Sequence, residues 1–314
     1  MRTAFIKTLV QQAEQNSRVM LVVADLGFGV VDEFAKRFPK QFINTGVAEQ
    51  NMVGVATGLA LSGKVVFTYS IANFPIIRCL EQIRNDVCYH NANVISVSVG
   101  GGYCYGALGM THHATEDLAI MRSLPHLQVV APGCPKEAQA ATEYFAQGAG
   151  PGYLRLGRAG EPIVHQGNIS WEIGKSIQIR DGKDLTIIAT GAMLKIAVDT
   201  AEQLASTKGI QSRVISMHTL KPLDEEAIIK AVAETPCIVT IEEHSIIGGL
   251  GGCVSEIICE KADRKIAFKR FGIPSEFTKH IGDQDYLRRI YGLDVSSLTD
   301  EIDKFVRAHE KACQ

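Results

Sequence analysis

The chain has 314 residues, enough for two domains of ordinary size, and its 46% hydrophobic and 21% charged composition is that of a globular protein. A formal net charge of -2 argues against a nucleic-acid or anionic-membrane surface. No apolar run is long enough to span a bilayer, and the start Met1-Arg2-Thr3-Ala4-Phe5 opens no signal-peptide core, so no membrane contact and a cytoplasmic location are expected.

Residues 3–16 predict a helix with Phe5, Leu9, Val10 and Ala13 on one face. Residues 19–24 are a continuous apolar run, as in a buried parallel strand, ending at Asp25 before Gly27 and Gly29. A short helix over 32–38 and a strand at 42–43 lead into Asn44-Thr45-Gly46-Val47-Ala48-Glu49-Gln50. A helix is expected over 48–61, rich in Ala and Gly and therefore packed closely on all sides. Its single acid, Glu49, falls in the first turn. Either it only complements the helix dipole, or it is a buried acid awaiting a partner with a protonatable nitrogen.

A strand over 64–69 follows, then a helix over 74–90 with Pro75 in its first turn, and a strand over 93–99. A glycine-rich loop over 100–109 precedes a helix over 111–123, a strand over 127–131, a helix over 135–147 and a strand over 152–156. Residues 161–184 read as a linker with a first strand near 177–179. A second alternation fills 185–314, with strands over 185–190, 213–217, 237–242 and 266–271. Its helices are expected over 193–208, 224–235 (Asp224 as N-cap) and 248–261, with two more from about Asp285 and Ser297. The fold class is thus α/β, with two domains, 1–160 and 185–314, each a mostly parallel sheet covered by helices. Eight cysteines (Cys79, Cys88, Cys104, Cys134, Cys237, Cys253, Cys259, Cys313) lack metal-site spacing and are expected to be reduced, with no metal bound by this chain.

Gly46-Val47-Ala48-Glu49-Gln50 resembles the pyrimidine-binding signature of transketolases and 1-deoxyxylulose-5-phosphate synthases. The resemblance covers nearly all of the chain but about half of such an enzyme: a pyrimidine-binding domain, then a transketolase C-terminal domain. It implies that Glu49 hydrogen-bonds a ring nitrogen of the thiamine diphosphate aminopyrimidine. That bond favours the imino tautomer, which takes the proton from the thiazolium carbon. It also implies cofactor contacts from Val47, from Asp25 in Ala24-Asp25-Leu26, and from an aromatic ring, Phe74 or, one register away, Tyr69.

Gly106-Ala107-Leu108-Gly109-Met110-Thr111-His112-His113 resembles the family's Gly-x-Asp-Gly-x-Thr-His-Gln. By that resemblance His112 is catalytic and faces substrate, His113 replaces a glutamine, and Leu108 replaces a substrate-gripping aspartate. Arg158 matches a substrate-binding arginine, whereas Gly100 and Gly29 stand where a histidine and a serine are usual. Glu242-Glu243-His244 with its following glycines, and Arg289-x-Tyr291-Gly292-Leu293, resemble motifs of the second domain. Those glycines read as close helix packing rather than as an anion site.

The family's Gly-Asp-Gly motif for Mg²⁺ and diphosphate does not occur in the sequence. The resemblance therefore implies one subunit of a split, thiamine-diphosphate-dependent transketolase, passing a two-carbon ketol unit from a ketose to an aldehyde. A separate N-terminal-type subunit would hold the diphosphate and Mg²⁺, in a two-plus-two assembly. The alternatives are the beta subunit of a 2-oxoacid dehydrogenase decarboxylase component and a non-catalytic, regulatory relic of the fold. The Thr-His loop and the ending from Arg289 to Asp294 fit transketolase better than the first. Glu49 and His112 together argue against the second.

Overall fold

The structure, a computed structural model, describes residues 1–71 and 73–310; Cys313 lies outside the described residues. The first unit runs α1 (Arg2–Gln15), β1 (Val19–Val23), α2 (Asp32–Arg37), β2 (Phe42–Asn44), α3 (Glu49–Leu61) and β3 (Val65–Ile71). It continues through α4 (Leu80–Gln82), β4 (Val94–Val99), α5 (Asp117–Ser123), β5 (Gln128–Val130), α6 (Pro135–Ala146) and β6 (Gly152–Leu156). The second unit holds β7 (Ile177–Arg180), β8 (Leu185–Ala189), α7 (Met193–Lys208), β9 (Ser212–Ser216), β10 (Thr219–Lys221) and α8 (Glu225–Glu234). It closes with β11 (Cys237–Ser245), α9 (Leu250–Lys261), β12 (Ala267–Ile273), α10 (Gln284–Ile290) and α11 (Val295–Glu310).

Two sheets result, ordered β10-β5-β6-β4-β3-β1-β2 and β12-β11-β8-β9-β7. All neighbours are parallel except β10 on β5 and β7 on β9. β1, β4 and β6 are buried at every residue, which explains the unbroken apolar run of β1. One face of the first sheet packs on α1 and α6 through Phe5, Leu9 and Phe145. The other packs on α3 and α5 through Met52, Val53, Ala56 and Met121, and this cluster continues into Ile188, Ile215 and Val254 of the second unit. In the first sheet β1 lies between β2 and β3, so the chain reverses direction across the sheet there. Ligands collect at such a switch point, off the carboxyl ends of the strands.

Four sequence expectations are corrected. The helix over 74–90 is instead a run of turns, a three-residue α4 and a π-helical stretch over Ile83–Cys88, a geometry common beside functional sites. The helix over 111–123 starts only at Asp117. Ala114 pairs antiparallel with Gly102, which draws the chain before it into extended backbone. β10 was not foreseen; it is three residues long, stops just before Pro222, and carries the second unit into the first sheet. α3 is buried on one face only: Gln50, Asn51, Gly54, Gly58 and Leu61 are exposed, and a Cβ at Gly54 or Gly58 would meet nothing within 4 Å.

Candidate active site

Four loops meet off the carboxyl ends of β1, β2, β3 and β4. Asn44, at the end of β2, ties the first two together. Its Oδ1 accepts from the backbone N–H of Asp25 and of Gly46, both at 3.0 Å, and its Nδ2 donates to Asp25 Oδ1 at 3.1 Å. Asp25 takes a left-handed conformation, φ 53°, which aspartate tolerates better than most side chains. Gly46 also has positive φ, 71°, and turns the chain into α3.

Glu49 is the first residue of α3 and is 3% exposed. The helix N-terminus favours its negative charge, but burial requires a partner. The partner is Arg78, whose Nη1 donates to Glu49 Oε2 at 2.6 Å. The same guanidinium lies 4.9 Å over the ring of Phe74. Phe74 in turn meets His112 edge-on, with centroids 5.3 Å apart and planes at 70°. A carboxylate, a cation, an aromatic face and an imidazole are thus brought into one row by residues from three loops.

His112 ends a 3-10 turn, Met110–His112, and its Nδ1 lies 3.0 Å from Thr111 Oγ1. Asn73 Nδ2 donates to the carbonyls of Thr111, at 3.4 Å, and of His113, binding this loop to the one after β3. His113 points away from the row. It is buried edge-on to Tyr103, its Nε2 is 3.3 Å from the Gly106 carbonyl, and burial holds its pKa below the usual histidine value.

The other predicted residues lie as follows. Val47 and Leu108 are exposed, as is Met110. Tyr69, the alternative aromatic, is buried with its ring stacked on Phe5 at 6.0 Å. Arg158 follows β6, is exposed, and sets its charge near Cys104 and Tyr105; its carbonyl accepts from Arg2 N at 3.2 Å. Sequence reasoning missed Arg78, Asn44 and Asn73. The only signal for Arg78 was a basic residue four positions beyond Phe74.

A thiamine-type pyrimidine fits these residues: a buried carboxylate can accept from a ring nitrogen, Phe74 offers a flat face, and Arg78, 48% exposed, is free to leave. Among the described residues no group of three or more His, Cys, Asp or Glu could hold a metal. A cleft of about 870 Å³ is present, but it lies between the 163–180 segment and α7, lined by His165, Lys195 and Asp199 and by none of the residues above.

Comparison with known proteins gives the family. Residues 1–160 match the model for the transketolase pyrimidine binding domain, and residues 174–298 that for the transketolase C-terminal domain. The chain belongs to the transketolase family. It is 39% identical over 308 residues to a subunit of the apulose-4-phosphate transketolase of Phocaeicola vulgatus, covering 98% of this chain and 97% of that one. It is 35% identical to a subunit of the 6-deoxy-6-sulfo-D-fructose transketolase of a Clostridium species, covering 95% and 92%. Among solved structures it superimposes on "Split gene transketolase, inactive beta4 tetramer" with TM-score 0.88 and 36% identity, covering 98% of both chains. This transketolase chain is a transferase-type enzyme subunit. Among its described residues no helix is long and apolar enough to cross a membrane.

Proposed function

We propose that this chain is the pyrimidine-side subunit of a thiamine-diphosphate-dependent transketolase. With a separate subunit that supplies the diphosphate and Mg²⁺ site, it passes a two-carbon ketol unit from a ketose donor to an aldehyde acceptor. The observation that carries this reading is the row from Glu49 through Arg78 and Phe74 to His112, beside which the described residues offer no cluster of carboxylates, histidines or cysteines for a metal. Thiamine diphosphate, when bound, supplies the nucleophilic carbon and electron sink for breaking a carbon–carbon bond beside a carbonyl.

The chain's own residues orient and control protons. Glu49 accepts from the pyrimidine nitrogen in place of Arg78 and biases the tautomer of the ring. Phe74 stacks on the pyrimidine and keeps water from it. His112, half-buried beside Thr111, is placed to give or take a proton at a substrate oxygen. The open face of α3, with Gly54 and Gly58 uncovered, suits close packing with another subunit in a two-plus-two assembly.

Leu108, Gly100 and Gly29 support an acceptor other than an ordinary sugar phosphate. A Cβ at Gly100 would fall 2.2 Å from the Tyr105 ring, so Tyr105 fills the space that a histidine there would need. Leu108 presents an apolar side chain, and Gly29 offers only backbone.

The test is reconstitution. The purified chain with thiamine diphosphate and Mg²⁺ should not turn over ketose donors, and adding a subunit that carries Gly-Asp-Gly should start turnover. Robust turnover by the chain alone would refute the split-site reading.

A further inference from the structure

The loop that carries His112 is gripped from the second domain. Its base is a two-residue bridge: Gly102 N–H donates to the Ala114 carbonyl at 2.8 Å, and Ala114 N–H donates back at 3.0 Å. At that base stands Glu243, on β11, 3% exposed. Its Oε1 accepts from the backbone N–H of Tyr103 at 2.6 Å. The rest of the carboxylate is taken up by Gln284 Nε2, at 2.9 and 3.1 Å, and by Arg288 Nε, at 2.6 Å. The main chain of Glu243 takes part as well: its carbonyl accepts from Arg155 Nη2 at 3.0 Å, and that nitrogen also donates to the Ala114 carbonyl at 2.8 Å.

Further contacts close the grip. Tyr103 stacks on Tyr291 with centroids 5.5 Å apart and planes at 19°. Glycines mark how tightly the two domains meet. A Cβ at Gly102 would come within 2.5 Å of Glu243 Oε1, and one at Gly106 within 2.5 Å of Leu287 Cδ1. Neither the Glu49 row nor the core of the first sheet requires these contacts.

The geometry points to Glu243 as a positioning residue: through Tyr103 it fixes the loop over 103–112 and so places His112 against Phe74. A buried carboxylate that satisfies a backbone amide on one domain and a guanidinium on its own domain has one low-energy arrangement. Neutralising it leaves Tyr103 N–H, Gln284 and Arg288 competing for a single amide oxygen. The second domain then sets the geometry of a site in which none of its own side chains takes part. The catalytic part of this inference rests on the function proposed above.

Two variants test it, each touching a different contact. Glu243→Gln keeps the shape and removes the charge; Tyr291→Leu keeps the charge and removes the stack. Hydrogen exchange is measured on the full chain, which requires no partner or substrate. Both variants are expected to speed exchange of the amides over 103–112 about tenfold while β1 and β3 stay protected. In the assembled enzyme Glu243→Gln should lower kcat about tenfold and leave the Kd for thiamine diphosphate unchanged, because Glu49 and Phe74 are not moved. Unchanged loop exchange in both variants would overturn the proposal, as would an equal rise in the loop and in β1 and β3. If one variant does not fold, the loop exchange of the other decides. If the wild-type assembly transfers no ketol unit, the proposed function fails, and the exchange result still decides whether Glu243 holds the loop.

Discussion

Glu49 and Arg78 are 29 positions apart and meet at 2.6 Å, the carboxylate buried and the guanidinium half in solvent. The asymmetry matters. Glu49 cannot do without a partner, whereas Arg78 can return to water. Arg78 also covers the face of Phe74. On the proposed function, Arg78 stands in the chain alone where the pyrimidine of the cofactor would make the same two contacts.

Removing Arg78 should cost more stability while the site is empty than when it is filled. Arg78→Ala leaves Glu49 buried without a cation, and because Arg78 is half-exposed the loss should be about 1 kcal/mol. With the partner subunit and saturating thiamine diphosphate the loss should shrink, since a ring nitrogen replaces the guanidinium. Denaturant melts with and without cofactor measure both terms; an equal loss in the two would show that Arg78 is not a stand-in for the pyrimidine.

Glu242 gives a pH dependence of known sign. Burial pushes its pKa up from 4.5 to about 7, against the opposing effect of N–H donors from Leu250 and Gly251, each at 2.7 Å. A folded-state value above the unfolded one means a contribution to stability that is fully present below pH 4.5 and lost as pH rises through about 7. The stability difference between wild type and Glu242→Gln should therefore favour wild type more at pH 5 than at pH 8. A difference that does not change with pH would contradict this account of Glu242.

Much of this was legible in the sequence where the signal is local. α7 begins and ends where its apolar spacing predicted, Met193–Lys208, and Asp224 caps α8 by accepting from Ala227 N–H. Short motifs singled out Glu49, Phe74 and His112, and the structure joins them through Arg78 in one row. What was not legible depends on separation along the chain. No local pattern announces that Arg78 will turn back to Glu49, that Asn73 will bind the His113 carbonyl 40 residues on, or that Glu243 will reach Tyr103 across 140 residues. β10 is too short to show a period and exists only because β5 offers an edge. The small residues of α3 were read as burial on all sides, because composition alone does not tell a helix face covered by the core from one left open.

Specificity should follow the missing polar groups. With xylulose 5-phosphate and ribose 5-phosphate the assembled enzyme should be a poor transketolase, and an unphosphorylated or otherwise modified aldehyde should be preferred. A site lacking the groups that bind a hydroxyl or phosphate gives up roughly 10⁴ to 10⁵ in discrimination for it. The comparison is kcat/KM across a panel of acceptors. Efficient use of ribose 5-phosphate, unmatched by any panel member, would show that Leu108, Gly100 and Gly29 do not redirect the substrate.

The central claim is that the carboxylate of Glu49 governs the proton chemistry of the cofactor. It is tested most directly by exchange of the thiazolium C2 proton in the assembled enzyme, read by NMR after rapid quenching in deuterium oxide. Wild type should exchange fast, and Glu49→Ala, with fold and assembly intact, should be slower by about 10² to 10⁴. Exchange at the wild-type rate in Glu49→Ala would contradict the account.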